Sequence, residues 1–171
     1  MKKNKIVTIQ TRAREIQKSI LYINNIDLFL NEIDSAVPLL IKVLKVADTD
    51  LKDEIIFLLG GIARKKVIWL LYEIMVDTGE NKNTRHSAAI QISVTAAFIK
   101  DTNDLTEKLL ADIKSSDPLL RCLAAFAVGW ERNDKAAIPL LDLMQDDDLD
   151  IQQIAANALV NLKGSSLLKF K

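Results

Sequence analysis

An all-α stack of helical hairpins is the fold this sequence predicts, on three observations. Asp117-Pro-Leu-Leu-Arg-Cys-Leu-Ala-Ala-Phe-Ala-Val-Gly129 lines up with Asp148-Leu-Asp-Ile-Gln-Gln-Ile-Ala-Ala-Asn-Ala-Leu-Val160 at an offset of 31 residues. Upstream, Leu109-Leu110 falls on Leu140-Leu141 and Ile113 on Met144. A fixed period of this size marks an architecture of stacked repeats. Apolar residues also recur at helical spacing, as in Ile151, Ile154, Ala155, Ala158, Leu159 and Leu162. Finally, five glycines and three prolines in 171 residues, with no period-two run of β-branched residues, leave little room for a sheet.

The elements follow in order. A polar-faced helix over Thr8 to Asn24, then a short helix near Leu28 to Ile33, form a cap (1–35). Its purpose is physical, because the end of a stack must cover an apolar face. The first copy (36–64) opens with Ala36-Val-Pro-Leu-Leu-Ile-Lys-Val-Leu44, which matches Ala137-Ile-Pro-Leu-Leu-Asp-Leu-Met144. Proline is expected in the opening turn of each, where its missing N–H costs little. The second helix of this copy carries Leu51, Ile55, Leu58, Leu59 and Ile62, with Asp48 or Asp50 as its cap. From Val37 to Ile138 is 101 residues, or three periods of about 34.

The second copy (65–99) has a helix over Lys66 to Val76 and another from Thr84 to about Phe98, joined by a polar turn, Asp77 to Asn83, that is the expected mobile loop. In the third (100–131) and fourth (132–163), the second helices begin after Asp117 and Asp148. A carboxylate there meets free N–H groups and the positive end of the helix dipole. The third copy repeats the apolar stripe as Leu120, Leu123, Ala124, Ala127 and Val128. Small alanines let adjacent helices approach. The tail (164–171) is expected to fold back through Leu167, Leu168 and Phe170 or to fray. All these parts read as a single domain, 1–171.

Composition narrows the function classes. Lys+Arg and Asp+Glu are both 23, so no global charge favours nucleic acid or a membrane surface. No apolar run reaches a bilayer span, and no apolar core follows the basic first residues, so neither a membrane partner nor a secretory signal is expected. The single cysteine, Cys122, has no internal disulfide partner, and a cytoplasmic setting is the simplest.

The run Asp-Pro-x-Leu-Arg-x-x-Ala-Ala-x-Ala-Val-Gly, from Asp117 to Gly129, resembles the second helix of HEAT-like repeats. The short variant found in phycobilisome lyase-like repeat proteins is the nearest pattern. The resemblance is strong over 100–162, moderate over 36–98, and does not cover the cap. It implies a right-handed α-α superhelix, a solenoid of about four HEAT-like hairpins with an N-terminal capping helix. It also implies partner binding on the concave side, formed by second helices. In that family aspartates and arginines of successive copies form a stacked ladder, implied here for Arg85, Asp117, Arg121 and Asp148. Lys52 and Gln152 replace the arginine in the first and last copies.

Helical spacing then projects a concave strip. The position after the arginine is Asp53, His86, Cys122 and Gln153; four residues on come Phe57, Ile90, Phe126 and Asn157; a turn further come Gly61, Val94, Trp130 and Asn161. The candidate partner-binding residues are His86, Ile90, Cys122, Phe126, Trp130, Gln153 and Asn157. An apolar centre with polar ends suits a protein or peptide ligand. The alternative is that Phe126 and Trp130 pack onto the neighbouring repeat and complete the core.

No catalytic residue and no metal site is expected. His86 and Cys122, one repeat apart, would be separated by about 10 Å, too far for a thiolate–imidazolium pair. One Cys and one His do not make a zinc site. Asp146-Asp147-Asp148-Leu-Asp150 lacks the spacing and glycine of a calcium loop and reads as a solvated, capping turn. Arg64-Lys65-Lys66 reads as a solvated face. Gly60-Gly61 reads as a place for a kink or close packing. No phosphate-cradling glycine loop is present and no cofactor is expected. The leading expectation is a non-enzymatic scaffold that binds an unidentified protein or peptide, through Phe126 and Trp130 among others. A bilin lyase-like enzyme or subunit is the alternative, with nucleic-acid binding behind it. Self-association is expected if an end repeat leaves apolar surface open.

Overall fold

Aspartates start three of the second helices, and each does so through a side-chain hydrogen bond. Asp48 Oδ1 accepts the Leu51 N–H at 3.0 Å, Asp117 Oδ1 that of Leu119 at 3.0 Å, and Asp148 Oδ1 that of Asp150 at 2.9 Å. Each carboxylate takes a donor that the first helical turn leaves unpaired. Of the two caps the sequence offers in the first copy, Asp48 does the bonding. The computed structural model describes residues 2–167 except Ala63, Lys100 and Arg132, and describes no side chain in 1–7 or beyond 162. Among the described residues the chain is all-helical, with ten α-helices, one short 3-10 turn and no strand. None of these helices is long and apolar enough to cross a membrane.

The chain divides into two compact units, Met1–Leu59 and Gly60–Lys171, and the boundary falls inside the 36–64 copy. In the first unit, α1 (Lys2–Asn24) packs against α2 (Ile26–Asn31) and α3 (Ile33–Leu44), and α4 (Thr49–Gly60) follows. Tyr22 and Phe29 meet edge to face at 6.3 Å. The Tyr22 hydroxyl donates to Glu32 at 2.6 Å, and the Lys18 ammonium sits 3.1 Å from the same carboxylate and over the Tyr22 ring. That hydroxyl first, then Lys18, holds the Glu32 carboxyl below its usual range.

One proline expectation is corrected here. Helix α3 begins at Ile33, so Pro38 lies inside it rather than in its opening turn. The cause is the Glu32 carbonyl, which accepts the Ser35 and Ala36 N–H groups and starts the helix early. Pro139 does fall in the first turn of its helix.

In the second unit, three helical hairpins succeed one another. They are α5 (Lys65–Val76) with α6 (Lys82–Ala96), α7 (Asn103–Asp112) with α8 (Pro118–Trp130), and α9 (Ala137–Leu143) with α10 (Leu149–Leu167). A 3-10 turn, Asp134–Ala136, precedes α9. Helix α8 is central and packs against both α6 and α10, while α5, α7 and α9 each pack on the second helix of their own hairpin. The alanine stripe makes this row possible: Ala88, Ala89, Ala124, Ala127, Ala155 and Ala158 are all buried. Gly129 brings α8 so near α10 that a Cβ added there would lie 2.5 Å from the Ala158 Cβ. Gly60 admits the Gln91 side chain in the same way, and its carbonyl accepts the Thr95 hydroxyl at 2.8 Å. Close packing, rather than a kink, is therefore what this glycine serves. Helix α10 runs on to Leu167, so the backbone from 163 to 167 continues the helix instead of folding back. Leu168, Phe170 and the Leu167 side chain lie outside the described residues.

Glu131, just past α8, sits half-buried. Its Oε2 lies 2.5 Å from the Thr106 hydroxyl, and its Oε1 is buried without a partner among the described residues. The same hydroxyl lies 3.1 Å from the Thr102 carbonyl. One hydroxyl hydrogen cannot serve both acceptors, whereas a protonated Glu131 could donate to Thr106 and free that hydrogen for Thr102. Burial pushes the Glu131 carboxyl up to about 7, against the pull of the Thr106 hydrogen bond. A raised folded-state pKa is stabilising below the unfolded value of 4.5 and is lost as pH rises through 7. Glu131→Gln is expected to match wild type at pH 4 and to exceed it at pH 8 by about 1–3 kcal/mol. Urea denaturation at the two pH values checks this; equal differences at both would contradict it.

Candidate functional site

The ladder residues come first, because they position the helix starts. Arg85 is 5% exposed, and its guanidinium bridges two elements. Its Nε donates to the Met75 carbonyl at 2.8 Å, at the end of α5, and its Nη2 reaches Asp117 Oδ2 at 2.8 Å. Arg121 repeats the arrangement one hairpin later: Nη1 donates to the Ser115 carbonyl at 3.0 Å. Its fork then closes on a carboxylate two residues earlier than the ladder reading names. Nε and Nη2 reach Asp146 at 2.7 and 2.9 Å, so the bonded partner is Asp146 and not Asp148. Asp148 adds to the field on Arg121 without bonding to it and serves as the cap of α10. Gln152, the last copy's equivalent, keeps only the backbone half, donating to the Asp146 carbonyl at 2.6 Å.

These pairs set the charge states. Burial works against the Asp117 carboxylate, but Arg85 and the Leu120 and Leu119 N–H groups outweigh it and hold its pKa below the usual range. The hydrogen bond from Arg121 does the same for Asp146.

With α6, α8 and α10 held in a row, their N-terminal ends enclose an open groove of about 610 Å³. Three projected strip residues line it: His86 from α6, Cys122 from α8 and Gln153 from α10. Pro118, Leu119, Ile151 and Ile154 supply its apolar surface, and Lys82, Asp117, Asp148 and Asp150 its charge. The volume is that of a small-molecule or side-chain site. Spacing from the arginine identified one groove position per copy. It missed Lys82 and Pro118, which stand three residues before Arg85 and Arg121, one turn nearer the helix start. That register is the signal in the sequence for these two positions.

The remaining strip residues lie outside the groove. Asn157 is exposed and accepts from the Gln153 amide at 3.2 Å. Ile90 is 43% exposed and Trp130 45%. Phe126 is half-buried, so the two aromatics differ: Trp130 is offered to solvent, and Phe126 is shared between surface and interior. In the other unit, Phe57 is exposed.

Burial pushes the Cys122 thiol up, Asp148 and Asp150 add to that, and Lys82 opposes it. Burial and then Lys82 hold the His86 imidazole below its ordinary value, so it is neutral at pH 7. The pair is therefore thiol and imidazole, the opposite of an activated nucleophile. Among the described residues no group of three His, Cys, Asp or Glu side chains is arranged to hold a metal ion. No protein-family model matches the chain, and no curated protein matches it.

Proposed function

We propose that this chain is a non-enzymatic binding scaffold that holds a segment of another protein. On this reading the three hairpins of the second unit form a short HEAT-like array, wound as a right-handed superhelix. The binding side is then made of α6, α8 and α10. The observation that carries the proposal is the groove, which gathers His86, Cys122 and Gln153 from equivalent positions of three successive hairpins. The row of α6, α8 and α10, backed by α5, α7 and α9, supports it, since a stack of hairpins needs that order. So does the charge state of the groove. A protonated thiol and a neutral imidazole lining the same groove favour binding over bilin-lyase-like chemistry. Asp148 and Asp150 at the rim disfavour nucleic acid, which needs a basic surface.

The test is capture from native lysate with three proteins: wild type, Gln153→Trp to obstruct the groove, and Trp130→Ala to remove the exposed aromatic further along the strip. Circular dichroism establishes that each variant is folded. A protein retained by wild type is expected to fall about tenfold or more in both variants, as removal of a central contact does. Equal capture by all three, or no capture above a bare-bead control, overturns the reading.

A further inference from the structure

The charged groups around the groove are unequally paired. Asp117 is bonded to Arg85 and Asp146 to Arg121. Among the described residues the Asp148 carboxylate accepts only a backbone N–H, that of Asp150, and the Asp150 carboxylate has no hydrogen-bonded or ion-paired partner. Lys82, which lines the groove from α6, is likewise without an ion pair there. With Asp117 neutralised by Arg85 and His86 neutral, the groove holds two carboxylates against one ammonium.

Three helix N-termini would ordinarily attract an anion. Here all three are already answered from within, because Asn81, Asp117 and Asp148 each accept an N–H that an anion would take. The excess charge left for a ligand is negative and is concentrated at the α10 end. The two sides of the groove are separated by two helix–helix spacings, about 20 Å, the span of roughly six extended residues.

Resting on the scaffold reading above, we infer that the groove takes an extended peptide segment with a basic side chain seated against Asp148 and Asp150. An apolar neighbour of that residue lies over Pro118, Leu119 and Cys122. Lys82 then faces the acidic or carboxyl-terminal end of the segment and sets its direction. The thiol at Cys122 feels Asp148, Lys82 and Asp150 together, so all three charges act within the groove.

Cys122 is the chain's single cysteine and lines the groove, so its alkylation reports occupancy. The probes are three pools of acetylated, amidated hexapeptides with a fixed central pair, Arg-Leu, Gln-Leu or Glu-Leu, and mixed small residues elsewhere. Carbamidomethylation of Cys122 at pH 8 is followed by mass spectrometry in wild type and in Asp148→Asn/Asp150→Asn. Asparagine keeps the α10 cap, so the variant retains its helix start. The Arg-Leu pool is expected to protect Cys122 best, with its half-protecting concentration raised about tenfold or more in the variant and by added salt. Protection by Glu-Leu equal to that by Arg-Leu, or an unchanged affinity in the variant, overturns the cation preference. Equal protection by Gln-Leu and Arg-Leu also overturns it while leaving a peptide groove in place. Protection by none of the pools removes this inference and the groove reading together.

Discussion

Arg85→Met is expected to destabilise the protein by about 3–5 kcal/mol at pH 7. The guanidinium is 5% exposed and is the hydrogen-bonded partner of Asp117 Oδ2 as well as of the Met75 carbonyl. Methionine fills much of the volume but leaves a half-buried carboxylate without its cation and a carbonyl without its donor. Each unmet group carries its desolvation cost, and the charged one dominates. Adding Asp117→Asn should recover roughly half of the loss. Asparagine still caps α8 through the Leu119 N–H, and it leaves no charge to neutralise. Because Arg85 holds the Asp117 pKa below its usual 3.8, the pair contributes fully above about pH 4 and fades as pH falls through the lowered value. The gap between wild type and Arg85→Met should therefore narrow in acid. Urea denaturation of the wild type, both single variants and the double variant measures the coupling. A loss under 1 kcal/mol for Arg85→Met at pH 7 would show that the pair is solvated and mechanically idle.

Gly129→Val is the second large effect, at about 3 kcal/mol. A Cβ at this position would stand 2.5 Å from the Ala158 Cβ and 2.8 Å from the Ala158 Cα. The second of those atoms is backbone, so relief requires α8 and α10 to move apart. These two helices form the most extensive pairing in the second unit, and parting them exposes the stripe that includes Ala127 and Ala155. Helix propensity pulls the other way: replacing an interior glycine by alanine is worth about 1 kcal/mol in an exposed helix. The clash outweighs this because neither partner has a side chain that can rotate aside. Gly129→Ala should therefore lose stability despite its better propensity, and Ala158→Gly should restore part of it when the two are combined. Denaturant midpoints for the four proteins decide the matter. A Gly129→Ala variant more stable than wild type would mean that the helices yield at little cost.

Much of the architecture was readable from local pattern. Asp48, Asp117 and Asp148 announce helix starts because capping is a matter of a few consecutive residues. The first helix, expected over Thr8 to Asn24, ends at Asn24 and begins earlier, at Lys2, where a lysine-rich stretch gives no start signal. Pro38 departs from its expected place in the opening turn for a related reason. Its likeness to Pro139 is one of sequence, but the helix start there depends on the Glu32 carbonyl upstream. For the candidate site, helical spacing brought His86, Cys122 and Gln153 to one groove and Ile90 and Trp130 to the surface beyond it. It did not distinguish Trp130 from Phe126, since partial burial of a helix flank depends on how closely the neighbouring helix lies.

What the sequence by itself determined is the set of helices and the faces they bury. The period, the caps and the alanine stripe are local properties of the chain, and each has a direct energetic reading. Only the tertiary structure decided that Arg121 closes on Asp146 while Asp148 is left to cap α10. It alone placed the groove at the N-terminal ends of α6, α8 and α10. The reason is reach. A guanidinium selects among carboxylates two residues apart by the height and rotation of one helix against the next. Those quantities come from packing across the row and are written in no single segment.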